Sequence, residues 1–113
     1  MIGKEIDWRG SALDDLKAFP EKARASAGHQ LRRVQYGLEP NDFKPINNWG
    51  AGVIEIRIDD EDGTYRVVYV AKFPEKIYVL HSFKKKARAT SKKDVNLIKV
   101  RYQAVIIERR KEK

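Results

Sequence analysis

The feature that most constrains this fold is a change in apolar periodicity along the chain. Residues 23–38 carry apolar side chains at spacings of three and four, which is the period of an amphipathic helix. Residues 52–84 instead alternate between the two sides of an extended chain, and turns at 59–63 and 74–76 interrupt the alternation. This second pattern predicts three strands that pair as an antiparallel meander, at 52–59, 64–73 and 77–84.

Two helices are predicted before the meander. A short strand at 1–8 precedes Ser11, whose hydroxyl can cap a helix over 12–18. Pro20 suits the first turn of a second helix, because its missing N–H costs little there. Gly37 is a suitable terminator for that helix.

The remaining segments complete an α+β prediction. Residues 39–52 are rich in proline, asparagine and glycine and are predicted to form a loop. Thr90 or Ser91 would cap a final helix that runs towards the end of the chain. We therefore expect a single domain over 1–113, with a small antiparallel sheet and all its helices packed on one face.

The charge balance favours an acidic partner. Lys and Arg number 24 against 16 Asp and Glu, a net charge of +8, which suits nucleic acid, an anionic membrane surface or an acidic protein, or serves only solubility. The chain has no cysteine, which excludes disulfides, thiolate metal sites and cysteine nucleophiles. No apolar run is long enough for a signal core or a membrane span, so we expect a cytoplasmic protein without membrane contact.

Basic residues collect at one end of the predicted strands. Arg57 and Arg66 belong to the first and second strands, and the third runs into Lys84, Lys85 and Lys86. A meander can bring these residues to one side of the sheet, although the sequence does not fix the register. Arg binds phosphate through two parallel hydrogen bonds and Lys acts as a compact point charge, so this cluster would suit a phosphodiester.

Two neighbouring side chains have the chemistry for proton transfer. RNA cleavage needs a base for the 2′-hydroxyl proton and an acid for the leaving oxygen. Glu55, on the face of Arg57, and His81, which alternation places with Val79 and Phe83, are of suitable types, and a lysine with a lowered pKa could substitute. Each also has a structural alternative, because Glu55 can pair with an arginine and His81 can simply be packed in its strand.

The basic run continues into the final helix. Arg88, Lys92 and Lys93 lie just before or within its first turn, where a helix N-terminus already favours anions. These side chains can contact RNA or form a solvated face. The two histidines lie far apart in sequence and no phosphate-binding glycine loop is present, so no metal or cofactor is expected.

Three segments together resemble the RelE/HigB-like toxins of bacterial type II toxin–antitoxin systems, in their phage-derived branch. They are IDWRGSALDDLKAFP, GVIEIRIDDEDGTYRVVYVAKFPEKIYVLHSFKKKARATSKKDV and RYQAV, and the similarity runs from about residue 6 to about residue 105. The resemblance implies the RelE-like fold. It also implies a metal-independent endoribonuclease that cuts mRNA in the ribosomal A site, an mRNA interferase.

The resemblance also implies roles for particular residues. Arg66 matches the arginine of the family's YR strand motif, which contacts the scissile phosphate, and Lys84 to Lys86 match the basic group after the last strand. The general base stays open. The catalytic candidates are Arg66, Lys84, Lys85, Glu55 and His81. The RNA-binding candidates are Arg57, Lys86, Arg88, Lys92 and Lys93.

The partners implied are a ribosome carrying mRNA and a cognate helix-turn-helix antitoxin encoded next to the toxin. The antitoxin neutralises the toxin and represses the shared operon, so operator DNA is contacted only through it. Two alternatives stay open. One is a DNA gyrase poison of the ParE type, and the other is a module that binds RNA or antitoxin without cleavage.

Overall fold

The computed structural model describes residues 3–112, which form five strands and three α-helices. In chain order the elements are β1 (Glu5–Trp8), α1 (Ala12–Lys17), α2 (Glu21–Gln35), β2 (Phe43–Pro45), a 3-10 turn (Asn47–Trp49), β3 (Val53–Asp60), β4 (Gly63–Val70), β5 (Lys76–Lys85) and α3 (Lys92–Lys111). The first two residues of the predicted N-terminal strand lie outside the described range.

The strands form one sheet in the order β1–β5–β4–β3–β2. Antiparallel pairing of β3 with β4 and of β4 with β5 confirms the predicted meander. β1 instead pairs in parallel with β5, from Glu5 opposite Lys76 to Trp8 opposite Val79. The sheet is therefore mixed rather than wholly antiparallel, because the helical connection after β1 carries the chain from one edge of the sheet to the other.

The helices cover both faces of the sheet. Ile56 and Val67 pack in one apolar cluster with Ala27 and its neighbours on α1 and α2. Val68 packs in a second cluster with Ile98 and other residues of α3. The expectation that every helix lies on one face is wrong, because the meander is apolar on both sides and periodicity does not say which helix covers which side. The α+β class itself is confirmed.

The two predicted caps differ in outcome. Ser91 caps α3, since its hydroxyl oxygen accepts from the backbone N–H of Asp94 at 3.1 Å. Ser11 precedes α1 but makes no cap hydrogen bond. Its hydroxyl donates to the Asp15 carboxylate at 2.7 Å, and its backbone, with φ −88 and ψ 10, lacks the extended conformation that Ser91 has as a cap.

The segment between α2 and β3 is more ordered than a loop. Gly37, with φ +81, directs the chain away from the helix axis and leaves Leu38 exposed rather than on the apolar stripe. Within 39–52 the chain then forms β2 and the 3-10 turn. A three-residue edge strand ending in Pro45 is too short for a periodic signal.

A bulge in β5 changes the face on which its last residues lie. Val68 pairs with His81 but Tyr69 pairs with Val79, so Leu80 is the extra residue. Leu80 and His81 therefore both lie on the α3 side of the sheet. Alternation correctly groups His81 with Phe83 but wrongly places both with Val79.

None of the helices within 3–112 is long and apolar enough to cross a membrane.

Candidate functional site

The strand register brings basic residues together on the α3 side of the sheet. Arg57 pairs with Arg66, and Arg66 pairs with Phe83. In the next row on the same face, Thr64 pairs with Lys85. Two arginines and one lysine from three adjacent strands thus lie at one end of the meander, because partners in a ladder share a face.

Glu55 lies diagonally across from Arg66, and the two side chains form a buried ion pair. The Nε atom of Arg66 is 3.6 Å from Oε1 of Glu55, and the side chains are only 10% and 5% exposed. Arg66 also donates from Nη1 to the carbonyl oxygen of Tyr65 at 3.0 Å and lies 3.9 Å from the Asp59 carboxylate. These contacts hold the guanidinium group against the sheet.

Three buried polar atoms of this cluster have no hydrogen-bond partner within 3–112. They are Oε2 of Glu55, Nε of Arg57 and Nε of Arg66. Leaving a buried polar group unpaired costs about 1–3 kcal/mol, so each of these atoms calls for a physical explanation. The carboxylate can accept a proton and the guanidinium groups can donate to phosphate oxygens.

Two grooves open onto the ion pair. One, of about 450 Å³, reaches Glu55 between the β2 segment and residues 85–90. The other, of about 420 Å³, reaches Arg66 and is also bordered by Lys86. Lys85 and Arg88 border both grooves. An anionic chain lying across both grooves would therefore pass Lys85 and Arg88, whose charges attract the phosphates of a nucleic-acid backbone.

Lys84 and Lys85 lie on opposite faces of the sheet. Lys84 pairs with Tyr65 on the α1 and α2 side, where its Nζ atom lies 5.9 Å from the centre of the tyrosine ring. Lys85 lies on the side of Arg66. Strand alternation thus divides the lysine group that the sequence presents as one run, and only Lys85 and Lys86 border the Arg66 groove.

His81 is hydrogen-bonded to α3. Its Nε2–H donates to Oδ1 of Asp94 at 2.7 Å, and its Nδ1 accepts from Nη1 of Arg101 at 3.3 Å. Val68 stands between His81 and Glu55 in the same cross-strand row, which separates the two backbones by two strand spacings, or about 10 Å. Both ring nitrogens therefore have partners, and His81 connects the bulge of β5 to the start of α3.

The contact with His81 shifts the pKa of the Asp94 carboxyl group. Partial burial raises the pKa of Asp94, but hydrogen bonds from His81 and Ser91 lower it by more, and the pKa lies below its ordinary value of 3.8. The charged form is thus favoured by the folded state. The His81–Asp94 contact therefore stabilises the folded protein at pH values above 3.8.

The remaining basic candidates lie further from the ion pair. Lys92 and Lys93 are exposed on the first turn of α3. Lys93 borders a separate groove along the edge of β5, together with Lys84 and Ser82. The structure therefore brings Arg88 beside the site but places the two α3 lysines at its periphery.

Sequence reasoning missed Lys44. It lies on β2 directly opposite Glu55, and it borders the Glu55 groove. The residue went unnoticed because 39–52 has the composition of a loop, and a three-residue strand carries no alternation that would reveal it.

No group of three His, Asp or Glu side chains that could share a metal ion occurs within 3–112.

Comparisons with known proteins identify a family and a fold for this chain. The family model described as phage-derived protein Gp49-like (DUF891) matches residues 14–103. A free-state arginine-to-alanine double mutant of E. coli toxin RelE superposes with a TM-score of 0.60 at 17% identity, covering 84% of this chain and 97% of that one. No curated protein sequence matches the chain.

A second solved structure has the same fold. The toxin–antitoxin complex RelBE2 of Mycobacterium tuberculosis contains a chain that superposes with a TM-score of 0.51 at 23% identity. The match covers 75% of this chain and 94% of that one. The expected RelE-like fold is therefore confirmed.

Proposed function

The chain belongs to the Gp49-like family of phage-derived proteins, and we propose that it is the toxin of a type II toxin–antitoxin system. Its activity in this proposal is ribosome-dependent cleavage of mRNA. Support comes from the shared RelE-like fold and from a basic site in which a carboxylate, arginines and a lysine converge. The fold alone does not fix an activity, so the proposal depends on the site.

The observation that carries the proposal is the buried Glu55–Arg66 pair with unpaired atoms on both members. Their charged groups are 3.6 Å apart, yet Oε2 of Glu55 and Nε of Arg66 lack hydrogen bonds within 3–112. A purely structural ion pair would gain by satisfying these atoms. A scissile phosphodiester would supply what is missing, with phosphate oxygens for the arginine and a hydroxyl proton for the carboxylate.

The reaction follows from these roles. Oε2 of Glu55 takes the proton of the ribose 2′-hydroxyl, and the resulting oxyanion attacks the adjacent phosphorus. The bond from phosphorus to the 5′-oxygen breaks, which leaves a 2′,3′-cyclic phosphate and a 5′-hydroxyl after the leaving oxygen gains a proton. Lys85, which borders both grooves, is the proton donor. Because the nucleophile is part of the substrate, no step needs a metal ion.

Arg66 and Arg57 provide electrostatic stabilisation. The phosphorane-like transition state carries more negative charge on its equatorial oxygens than the starting diester, and fixed guanidinium groups offset that charge without reorganising. Arg66 is held by its contacts with Glu55 and Tyr65. We assign Lys86 and Arg88 to the flanking phosphates, with Lys92 and Lys93 further along the RNA.

His81 and Lys84 remain alternative proton-transfer groups. His81 would first have to exchange its contacts with Asp94 and Arg101. Lys84 would have to reach around the edge of the sheet from the side of Tyr65. Glu55 and Lys85 need neither rearrangement, so we assign the role of base to Glu55 and the role of proton donor to Lys85.

The partners follow from the same proposal. The net charge of +8 attracts both ribosomal RNA and an acidic antitoxin. We propose mRNA in the ribosomal A site as the substrate and an adjacently encoded helix-turn-helix antitoxin as the inhibitor. Operator DNA would be bound only through that antitoxin.

Induced expression in bacteria, followed by mapping of transcript ends, tests the proposed activity. New 5′ ends inside translated regions are expected with the wild-type chain and not with Arg66→Ala. Arg32→Ala is the matched control, because Arg32 is an exposed arginine on α2. Growth arrest with intact transcripts and DNA damage would instead indicate a gyrase poison, and binding to ribosomes without new ends would indicate a binding module.

A further inference from the structure

We propose that the groove beside Glu55 is a subsite for one unpaired nucleobase, with Trp49 as its stacking platform and Asn48 as the side chain that discriminates between bases. This inference rests on the proposed function, since it concerns the nucleotide next to the cut. It adds a recognition role for the 3-10 turn at Asn47–Trp49, beyond the charged residues at the strand ends.

The groove combines the three kinds of contact that a single nucleotide needs. Trp49 provides a flat aromatic surface and Asn48 an exposed amide, while Lys44, Lys85 and Arg88 supply cations along the border. Its volume of about 450 Å³ is of the size that accommodates a small ligand. An indole ring stacks on any base, whereas an amide carries both a donor and an acceptor and can read a base edge.

The wall that carries Trp49 is held rigidly from behind. The Tyr102 hydroxyl donates to the carbonyl oxygen of Ala51 at 2.9 Å, and Oδ1 of Asn47 accepts from the backbone N–H of Gly52 at 3.3 Å. Gly50 has φ +150, and a Cβ atom there would lie 2.7 Å from the Tyr102 ring. The turn is therefore fixed against α3, which lowers the entropy cost of ordering a stacking platform on binding.

Trp49 has both a packed and an accessible side. It is half-buried and packs against the α3 cluster, and it also borders the groove. It therefore borders the same groove as the carboxylate that would deprotonate the 2′-hydroxyl.

The position of Glu55 indicates which nucleotide occupies the subsite. Glu55 borders the same groove, and its unpaired Oε2 atom is the proposed acceptor of the 2′-hydroxyl proton. A base stacked on Trp49 would therefore belong to a nucleotide adjacent to the scissile phosphate. Asn48 would then bias the base found at one fixed position relative to the cut.

Single-turnover cleavage of a randomised-codon mRNA library on purified, programmed ribosomes tests this subsite. Trp49→Leu keeps apolar packing but removes the ring, and it should lower kcat/KM roughly tenfold to a hundredfold. Trp49→Phe keeps an aromatic face and should retain most of the activity. Asn48→Asp replaces the donor with an acceptor and should change the base preferred at one position, whereas the matched control Asn96→Asp, on the exposed side of α3, should not.

Each outcome decides the proposal. Loss with Trp49→Leu, rescue with Trp49→Phe and a changed base preference with Asn48→Asp would support it, provided that the variants melt near the wild-type temperature. Cleavage by Trp49→Leu and Asn48→Asp at wild-type rates and positions would overturn the subsite while leaving the proposed function intact. Equal loss in both tryptophan variants would also overturn it, because stacking does not require an indole. A wild-type chain that cuts nothing would refute the proposed function, and the subsite with it.

Discussion

Arg66 and Glu55 lie on adjacent strands with Nε and Oε1 3.6 Å apart, and both side chains are at least nine-tenths buried. Burying two charges is costly, and the cost is recovered only when their remaining polar atoms are paired. Here one atom on each side chain lacks a partner within 3–112. The fold thus maintains an incompletely satisfied ion pair whose two members each border a basic groove, an arrangement that an anionic substrate would complete.

This burial predicts strong energetic coupling between the two residues. Arg66→Met should lower the free energy of unfolding by about 3 kcal/mol, because it leaves the Glu55 carboxylate buried without a counterion. The double variant with Glu55→Gln should recover most of that loss. Urea unfolding of the four proteins in the cycle measures the coupling, and additive effects of the two changes would contradict it.

The division of the lysine run predicts unequal roles for its members. Lys85→Ala should slow mRNA cleavage on programmed ribosomes by about tenfold or more, since it removes the cation that borders both grooves. Lys84→Ala should have a much smaller effect, because that side chain lies over Tyr65 on the opposite face. The two variants carry the same charge change and are each other's control. Equal losses of cleavage rate in the two variants would show that the face of the sheet does not decide which lysine takes part in cleavage.

Two glycines are predicted to respond in opposite directions to the same substitution. Gly50→Ala should destabilise the protein by about 2 kcal/mol, because the new Cβ would meet the Tyr102 ring at 2.7 Å from a backbone with φ +150. Gly28→Ala, inside α2 with no atom beyond the neighbouring helix backbone within 4 Å of the added Cβ, should stabilise it by about 0.5–1 kcal/mol. Thermal and urea unfolding measure both, and a neutral Gly50→Ala would show that Tyr102 does not fix the turn.

The Asp94 contact predicts a specific dependence of stability on acidity. The pKa of Asp94 is lowered on folding, so its contribution is present above the ordinary value of 3.8 and is lost as the pH falls through the lower folded value. Asp94→Asn should therefore be less stable than wild type at neutral pH and should lose less stability on acidification. Glu75 and Glu108, whose pKa values are also lowered, remain in both proteins and cancel in the comparison. If the stabilities of wild type and Asp94→Asn changed in parallel with pH, Asp94 would not be the source of this dependence.

Periodicity was sufficient to predict the meander and the three helices, because these elements depend on local alternation and local spacing. It did not predict β2 or the parallel pairing of β1 with β5. β2 is too short to show a period. The pairing of β1 with β5 depends on which strands meet after the chain has crossed the sheet. The bulge at Leu80 was equally hidden, since one extra residue leaves the composition of a strand unchanged.

The candidate site was predictable in its chemistry but not in its arrangement. Arg57, Arg66 and the lysines were identifiable from charge and strand position, whereas the register that places Arg66 beside Glu55 and moves Lys84 to the other face could come only from the paired strands. Lys44 was missed because it lies on β2. The catalytic and RNA-binding roles of all these residues remain predictions.

The central claim is that Arg66 stabilises the transition state of mRNA cleavage, and the single-turnover rate on purified ribosomes programmed with one defined mRNA tests it most directly. Arg66→Ala should cleave at least about a hundredfold more slowly than wild type, while remaining folded by circular dichroism and thermal melting. Arg32→Ala should cleave at the wild-type rate. Folded Arg66→Ala that cuts within a few-fold of the Arg32→Ala control would contradict the account.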